Sequence, residues 1–303
     1  MKSAKKSFKI ILRNTRVRAK RSDTVKYVVD HDIHIHTELS LCSLDPQQSV
    51  ENIIKYAEKR GLKHICITDH LWDSSEIEIW NHEWWYSQQD FKYVTSKLPL
   101  PKSDTVNVHF GCETELDCNM VVGLHKKHFS DFEFIIIPTT HMHSHLVVTD
   151  EDYNSIERRK ELYISRLDGL LDQDLPFEKI GIPHFTIPFI AGMIVNPWYQ
   201  QPNWIDHLKF LDMIEDSEFE RVFTKLAKKG AGLELNFVLS HYKTDYEKDC
   251  MLRPYRIAKK CGAKFYFGSD GHIPKDFEGV TENHEAIVEA LGLLESDKFS
   301  PFK

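Results

Sequence analysis

The chain has 303 residues, of which 41% are hydrophobic and 28% charged, and this composition is typical of a globular protein and excludes a disordered one. No apolar run approaches the roughly 18 residues that a membrane-spanning helix needs. Six cysteines without a CxxC pair predict reduced thiols in a reducing compartment, so we expect a cytoplasmic protein without a membrane anchor.

Basic residues are concentrated at the N-terminus. Residues 1–26 contain ten lysines or arginines and one acid, which gives them a net charge of +9. Since the whole chain has a net charge of −7, the remaining residues have a net charge of −16. We interpret 1–26 as a basic N-terminal extension and 27–303 as a single domain. Because the domain is acidic, nucleic acid is not its expected main substrate. The sequence sets no oligomeric state.

From Tyr27 onward, predicted strands alternate with predicted helices. The strands are 28–36, 62–68, 106–116, 132–140, 180–184, 232–238 and 263–267. The helices are 46–60, 151–171, 218–229, 254–260 and 283–294. This alternation predicts a parallel sheet, and seven strands in one domain fit a closed barrel better than an open sheet. No glycine-rich phosphate loop follows the first strand, which disfavours a nucleotide-binding sheet.

Capping residues set the expected helix ends. Asp45 is the expected N-cap of the first helix, and Gly61 its C-terminal stop. Ser217 and Gly230 are expected at the two ends of the helix 218–229. Pro254 is placed in the first turn of its helix, where the missing N–H of proline is tolerated.

The first strand carries three histidines and two aspartates within residues 30–37. Because side chains two apart on a strand point to the same side, His34 and His36 project together, with Asp32 on that side as well. Two imidazoles at this spacing can bind one metal ion, and histidine is the commonest metal ligand in proteins. The same spacing also fits ordinary polar residues on a strand, so the residues on the other strands decide whether this is a metal site.

Almost every predicted strand ends in a potential metal ligand. These residues are His34, His36, Asp69, His70, Glu113, Glu115, His141, His184, Glu234, Asp270 and His272. In parallel barrels the active site is built at this carboxyl edge of the strands. Imidazole and carboxylate together favour zinc, iron or manganese over calcium. The number of ligands exceeds what one ion needs, so we expect two or three divalent ions.

Short motifs at these strand ends resemble those of a known family. They are DIHIHT at 32–37, ITDH at 67–70, GCE at 111–113, TTH at 139–141, the single His184, ELN at 234–236 and GSDGH at 268–272. In order and type the chain resembles the PHP (polymerase and histidinol phosphatase) superfamily of metal-dependent phosphoesterases. The resemblance implies a distorted TIM-like (β/α)7 barrel, in agreement with the strand count.

The resemblance also implies how the metal ions are held. One ion would be bound by His34, His36, Glu113 and Asp270. Glu113 would bridge to a second ion bound by His141 and His184. His70 and His272 would bind a third. Zinc, manganese or iron is expected at these positions.

One departure from the family pattern concerns the third ion. Many members place a His or Asp five or six residues after the second histidine of HxH, whereas this chain has Leu41 and Cys42 there. Cys42 as a thiolate ligand would favour zinc, but buried cysteine is more often part of the packing. Asp45, a little further along, is the alternative ligand, and the third site is otherwise weak or empty.

The implied activity is hydrolysis of a small organic phosphomonoester, the expected partner, by a metal-activated hydroxide. Asp69 and His143 are the expected proton carriers, with His145 a further one, although orienting a metal ligand is an equally good role for them. Arg253 is the expected phosphate anchor, and Trp85 the expected substrate contact from an aromatic insertion at 72–91. A second aromatic insertion at 187–204 is expected to share in covering the site.

Three other functions fit parts of the pattern. A nuclease acting on nucleic-acid ends has the same family motifs, but the acidic domain opposes it. An amidohydrolase barrel also begins with HxH, but it needs a metal-bridging lysine, and no predicted strand ends in lysine. A non-catalytic metal-binding regulatory domain is the remaining alternative, which the intact set of ligands disfavours.

Overall fold

The computed structural model describes residues 24–43, 45–79, 87–144, 146–149, 152, 155–191 and 204–302. Its strands are β1 His31–Ile35, β2 His64–Ile67, β3 His70–Leu71, β4 Asn107–Thr114, β5 Phe134–Ile136, β6 Ile180–Ile182, β7 Gly232–Glu234 and β8 Lys264–Tyr266. All seven predicted strands are present, each shorter than predicted, and β3 is a short addition. Most of the predicted basic extension lies outside the described residues.

The strands form one parallel sheet in the order β1-β2-β4-β5-β6-β7-β8, with β3 paired to β4. Backbone hydrogen bonds join β1 to the segment around the end of β8. The N–H of Ile33 donates to Phe267 O at 3.1 Å, and the N–H of Asp270 donates to His34 O at 2.8 Å. The sheet is therefore closed, and the predicted distorted (β/α)7 barrel is confirmed. Because all strands are parallel, their carboxyl ends meet at one edge.

Helices connect the strands along the outside of the sheet. The α-helices are α1 Val50–Arg60, α2 Phe91–Val94, α3 Ile156–Leu170, α4 Trp204–Asp212, α5 Asp216–Lys229, α6 Asp245–Lys260 and α7 Val280–Leu291. Short 3-10 helices occur at Thr95–Lys97, Lys126–Asp131, Phe177–Lys179, Pro188–Ala191, Leu239–His241, Pro274–Phe277 and Glu295–Asp297. None of the helices in the described part of the chain has the length and apolarity to cross a membrane.

Two predicted N-caps are wrong, whereas both predicted C-terminal glycines are confirmed. Helix α1 begins after Ser49, whose hydroxyl accepts from the N–H of Asn52, and not at Asp45. Helix α5 begins at Asp216, with Glu215 and not Ser217 as its N-cap. The Glu218 carboxylate accepts from the N–H of Glu215 at 3.3 Å, which fixes this start. At the other ends, Gly61 and Gly230 have φ angles of 68° and 85°, a left-handed conformation that glycine adopts without strain.

The predicted start of the helix at Pro254 is also wrong. Helix α6 begins at Asp245, where Thr244 and Glu247 form a reciprocal capping box, and Pro254 lies inside the helix. A capping box satisfies two orphan N–H groups at once and fixes the start of the helix. Proline inside a helix removes one backbone hydrogen bond, and here the surrounding turns continue past it.

Aromatic and aliphatic side chains fill the lower part of the barrel. Phe134, Ile136 and Tyr266 form one buried cluster with Ile33 and Phe299. Their strand neighbours Ile135 and Phe265 belong to the large core beneath the helices, so the alternation of side chains places the first cluster inside the barrel. This packed interior supports the polar residues at the carboxyl ends of the strands.

Candidate metal centre

The histidines of the first strand lie side by side at the carboxyl edge of the barrel. His34 is on β1 and His36 just after it, and both side chains are fully buried. Their Nε2 atoms are 3.2 Å apart, as expected for residues two apart on a strand. On the other side of the strand, Ile35 packs against α1. The alternation read from the sequence therefore directs both imidazoles into the barrel.

The first group of potential ligands joins these histidines to two carboxylates. It consists of His34, His36, Glu113 and Asp270, and one ligand atom from each lies within 4.8 Å of the others. Asp270 Oδ1 is 3.0 Å from His36 Nε2 and 3.4 Å from His34 Nε2. Glu113 Oε2 is 3.3 Å from His36 Nε2 and 3.4 Å from His34 Nε2. Side chains from the ends of three different strands thus converge on one point.

The second group lies on the other oxygen of Glu113. It consists of Glu113, His141 and His184. Glu113 Oε1 is 3.3 Å from His184 Nε2 and 4.0 Å from His141 Nε2, and the two imidazoles approach to 3.1 Å. Each oxygen of Glu113 therefore faces a different group, which is the arrangement of a carboxylate that bridges two ions.

A third group consists of His36, His70 and His272. The ring of His36 lies between the other two, with centroid distances of 4.4 Å to His70 and 4.2 Å to His272. This group shares His36 with the first group and contains no carboxylate. It therefore offers an ion less negative charge than either of the other two groups.

Hydrogen bonds at the far side of each ring determine which nitrogen faces the centre. Nδ1 of His34 contacts the Glu234 carboxylate at 2.8 Å, and Nδ1 of His141 contacts the Glu115 carboxylate at 2.5 Å. Since an ionised carboxylate can only accept, these two Nδ1 atoms carry hydrogens. Their Nε2 atoms are then lone-pair donors that point at the centre, as metal ligation requires.

His36 is held in the same way through a longer chain. Ser40 Oγ donates to Asp69 Oδ1 at 2.7 Å, so it accepts from Nδ1 of His36 at 3.1 Å. The Nε2 atoms of His34 and His36 lie 3.2 Å apart, so in the metal-free protein a proton lies between them, and a metal ion that binds there takes its place. The residues present therefore fit bound divalent metal ions.

The charges of the centre agree with this fit. Burial opposes ionisation of Glu113, but His70 and His34 outweigh it and hold the pKa of Glu113 well below its usual value. Burial likewise opposes protonation of His141, whereas the Glu115 carboxylate raises the pKa of His141 to about 9. The carboxylates are ionised and attract positive charge, as metal ions or as protons on the histidines.

Two of the potential ligands have strained backbones. His184 has a φ of 28° and Asp270 a φ of 54°, in a region that costs non-glycine residues about 1–3 kcal/mol. Such strain persists only where the surroundings fix it, and it concentrates at functional sites. His184 lies two residues after the end of β6, and Asp270 lies four residues after the end of β8. The strained backbone at these positions directs both side chains towards the centre.

Comparison with known proteins identifies the family. The model of the PHP domain family matches residues 32–298, which is most of the chain. The chain belongs to the PHP family. A search of curated proteins finds no matching relative.

Two solved structures share the PHP fold with this chain. One is histidinol phosphate phosphatase from Lactococcus lactis subsp. lactis, complexed with zinc, L-histidinol and phosphate; it has 16% identity and a TM-score of 0.52, and the match covers 90% of this chain and 99% of that one. The other is a putative histidinol phosphatase from Listeria monocytogenes, with 16% identity, a TM-score of 0.54, and coverage of 82% and 97%. At this identity the likeness establishes the fold.

Among the remaining predicted residues, Asp69 is close to the PHP centre but does not face it directly. Its carboxylate accepts from the N–H and the hydroxyl of Thr37, both at 2.7 Å, and from Ser40. These contacts fix the turn after β1 and, through Ser40, the ring of His36. Asp69 thus orients a potential ligand, and its role in proton transfer stays a prediction.

His143 packs edge-on against His141, with ring centroids 5.4 Å apart. Burial lowers the pKa of His143 to about 3, and the neighbouring His141 and His184 act in the same direction. An imidazole with so low a pKa is a weak base at neutral pH. The predicted alternative, His145, lies outside the described residues.

Cys42 does not join the potential ligands. The three groups of potential ligands found among the described residues do not include it. Desolvation, together with the charges of Asp270 and Glu113, raises the pKa of Cys42 to about 11, which disfavours the thiolate that a metal needs. Asp45 instead accepts from the N–H of Gln47 at 2.9 Å. These observations support neither Cys42 nor Asp45 as the predicted extra ligand for a third ion.

Arg253 is engaged elsewhere. Its guanidinium donates to Asp216 Oδ1 at 2.7 Å and to the carbonyls of Ile214, at 2.9 Å, and Leu211. It thereby ties α6 to the turn between α4 and α5, and this structural role does not support the predicted phosphate contact. Trp85 lies outside the described residues, as do 80–86 and 192–203 of the two aromatic insertions.

The orienting residues of the site have roles that the sequence did not indicate. Ser40, Glu115, Thr140 and Glu234 each contact the Nδ1 atom of a potential ligand. The sequence pointed to Glu115 and Glu234 only as potential ligands and to Thr140 only as part of the TTH motif. Glu115 lies two residues after Glu113, and Glu234 lies in the ELN motif at the end of a predicted strand.

Proposed function

We propose that this PHP chain is a metal-dependent phosphatase that hydrolyses a small organic phosphomonoester. The proposal rests on the position of Glu113, whose two oxygens each face a separate pair of imidazoles at 3.3–4.0 Å. A buried carboxylate shared in this way holds two divalent ions at a fixed separation, and such pairs are typical of phosphatase centres.

The proposal assigns one ion to His34, His36, Glu113 and Asp270, and one to Glu113, His141 and His184. Zinc, manganese and iron all suit these nitrogen and oxygen donors. The group of His36, His70 and His272 is the weakest, because it shares His36 and has no carboxylate. When bound, the ions supply a lowered pKa for coordinated water and stabilise charge on phosphoryl oxygens.

The residues of the chain prepare the site for this chemistry. Glu234, Glu115, Ser40 and Thr140 hold the imidazoles with Nε2 towards the centre. Such supporting contacts typically contribute 10- to 100-fold to metal affinity or activity. Asp69 and His143 are proposed to act beside the ligands, in orientation or in proton transfer.

The substrate class follows from charge and from the structural neighbours. The bound L-histidinol and phosphate of the Lactococcus protein make histidinol phosphate one candidate among small phosphorylated metabolites. The net charge of −16 outside the N-terminal extension opposes a nucleic-acid substrate. The six free cysteines fit the proposed cytoplasmic location.

A panel of substrates tests the proposal. The protein is freed of metal by chelation, reloaded with zinc or manganese, and supplied with phosphomonoesters, including histidinol phosphate, and with end-phosphorylated oligonucleotides. We expect inorganic phosphate from at least one small phosphomonoester, only after reloading with metal. Nucleotide release from the oligonucleotides alone would favour a nuclease, and a folded protein that binds no metal would favour neither enzyme.

A further inference from the structure

One carboxylate contacts both of the groups that share Glu113. Glu234, at the end of β7, is fully buried. Its Oε1 accepts from Nδ1 of His34 at 2.8 Å, and its Oε2 accepts from the backbone N–H of His184 at 2.7 Å. His34 belongs to the first group and His184 to the second. Glu234 is therefore a second link between the groups, made from behind the ligands.

The contact with His184 acts on a strained backbone. The N–H that Glu234 accepts belongs to the residue with a φ of 28°. Thr140 contacts the Nδ1 atom of the same residue at 3.1 Å. With the backbone held by one partner and the ring by another, the imidazole of His184 can point only towards Glu113.

The segment after β8 leaves Glu234 no room to move. Gly268 lies against both members of the contact, since a Cβ atom there would be 2.3 Å from Glu234 Oε1 and 2.3 Å from the Cβ of His34. Only glycine allows this approach. The carboxylate is thus fixed by packing as well as by its two hydrogen bonds.

We propose that Glu234 is a positioning residue that couples the two metal groups, so that its loss weakens both of them at once. It keeps His34 in the tautomer with Nε2 free and holds the backbone from which His184 projects. Because one fixed carboxylate orients a ligand of each group, its removal disturbs both ion sites. The inference rests on the proposed metal centre and concerns how that centre is assembled.

Glu115 provides a matched control. It is a similarly buried glutamate whose carboxylate contacts Nδ1 of His141, in the second group. Glu115→Ala should therefore weaken one group, and Glu234→Ala should weaken two. Both substitutions remove a buried carboxylate and leave a comparable space, so their general effects on packing are similar.

Zinc binding to the metal-free full chain distinguishes the two cases without any assay of catalysis. Bound zinc is counted by equilibrium dialysis at the lowest free concentration that fills both groups of the unaltered chain, so that a loss of affinity of about 10- to 100-fold lowers the occupancy of an affected group by half or more. We expect two ions per chain for the unaltered chain, about one for Glu115→Ala and well below one for Glu234→Ala. The free energy of unfolding without metal is measured for each variant, to confirm that it is folded.

Glu234→Gln tests the inference independently if the alanine variant fails to fold. An amide can accept from only one of the two N–H groups, so we expect it to lose zinc from one group. Equal zinc content in Glu234→Ala and Glu115→Ala, or two ions in either Glu234 variant, would overturn the coupling. If the unaltered chain binds two ions but releases no phosphate from any substrate, the proposed phosphatase fails while the coupling stands.

Discussion

Glu113 is buried among five histidines, and its interactions with them, led by His70 and His34, outweigh burial and hold its pKa well below the usual value. Its position on β4 opposite His70 of β3 places it at the middle of the carboxyl edge. No other described residue belongs to both the first and the second metal group. The whole account of the centre therefore depends on this one side chain.

Glu113→Gln should remove most of the bound metal. The amide keeps the shape of the side chain but loses the charge and one acceptor, so the two ions can no longer share this ligand. We expect metal content to fall below one ion per chain and phosphatase activity to fall more than about 100-fold, beyond the typical effect of a supporting residue. Elemental analysis and phosphate release measure the two quantities.

Glu133→Gln is the matched control for this substitution. Glu133 is an exposed glutamate that accepts from His109 and from the N–H of Phe110, remote from the ligands. It should retain full metal content and activity. Unchanged metal content in Glu113→Gln would refute the bridging role.

Most of the potential ligands could be predicted from the sequence, because strand periodicity and the order of the strand ends determine where they lie. His34 and Asp270 are examples, and the structure brings both into one group. The orientation of the rings could not be predicted, since it depends on partners such as Ser40 that are close in space and carry no motif. The structural contacts of Arg253 with Asp216 and with the carbonyl of Ile214 likewise carried no signal in the sequence.

At the scale of single elements, α3 shows how helices hold the loops of the centre in place. Arg166 on α3 is almost fully buried and donates to four backbone carbonyls: Thr139 O at 3.3 Å, Asp117 O and Val147 O at 3.0 Å, and Leu116 O. These carbonyls belong to the segments that follow β4 and β5. Glu113 lies on β4, and His141 lies in the segment after β5.

Arg166→Met should destabilise the protein strongly. Methionine fills part of the space but leaves four buried carbonyls without this donor, and each unsatisfied buried group costs about 1–3 kcal/mol. After partial relaxation we expect a loss of about 3–5 kcal/mol in the free energy of unfolding, measured with denaturant on the metal-free protein.

Arg158→Met on the same helix serves as the comparison. Its guanidinium pairs with Asp152 and Glu161 at the surface, both at 2.8 Å, and such exposed pairs contribute about 1 kcal/mol or less. Similar losses from the two substitutions would show that the carbonyl contacts of Arg166 contribute little.

Across the whole molecule, buried histidines differ in the direction in which their surroundings shift the imidazole pKa. At the metal centre, carboxylates face the imidazoles. His284 on α7 is instead buried against the ring of Phe267, with centroids 4.3 Å apart, and burial lowers its pKa to about 3. The buried His31 nearby has a lowered pKa as well, again chiefly because of desolvation.

His284 should make the protein less stable in acid. Above a pH of about 6.5 the residue is neutral in both the folded and the unfolded chain, so in that range it does not make the free energy of unfolding depend on pH. Below that pH the unfolded chain takes up a proton that the folded chain refuses until about pH 3, and stability is lost progressively across this range.

His284→Leu removes this titration with little change in volume. Between pH 7.5 and pH 5, the free energy of unfolding of the unaltered metal-free chain should fall by about 2 kcal/mol more than that of the variant. Denaturant unfolding at the two pH values measures the difference, and the values at pH 7.5 report the packing change alone. Parallel losses in both proteins would mean that His284 is already protonated in the folded state.

A zinc titration of the metal-free protein tests whether catalysis needs both of the ions that share Glu113. Bound zinc and phosphate release are followed together on an active phosphomonoester. The account predicts little activity while fewer than two ions are bound per chain, and full activity once both groups that share Glu113 are filled. Full activity with a single bound ion, or without any metal, would contradict it.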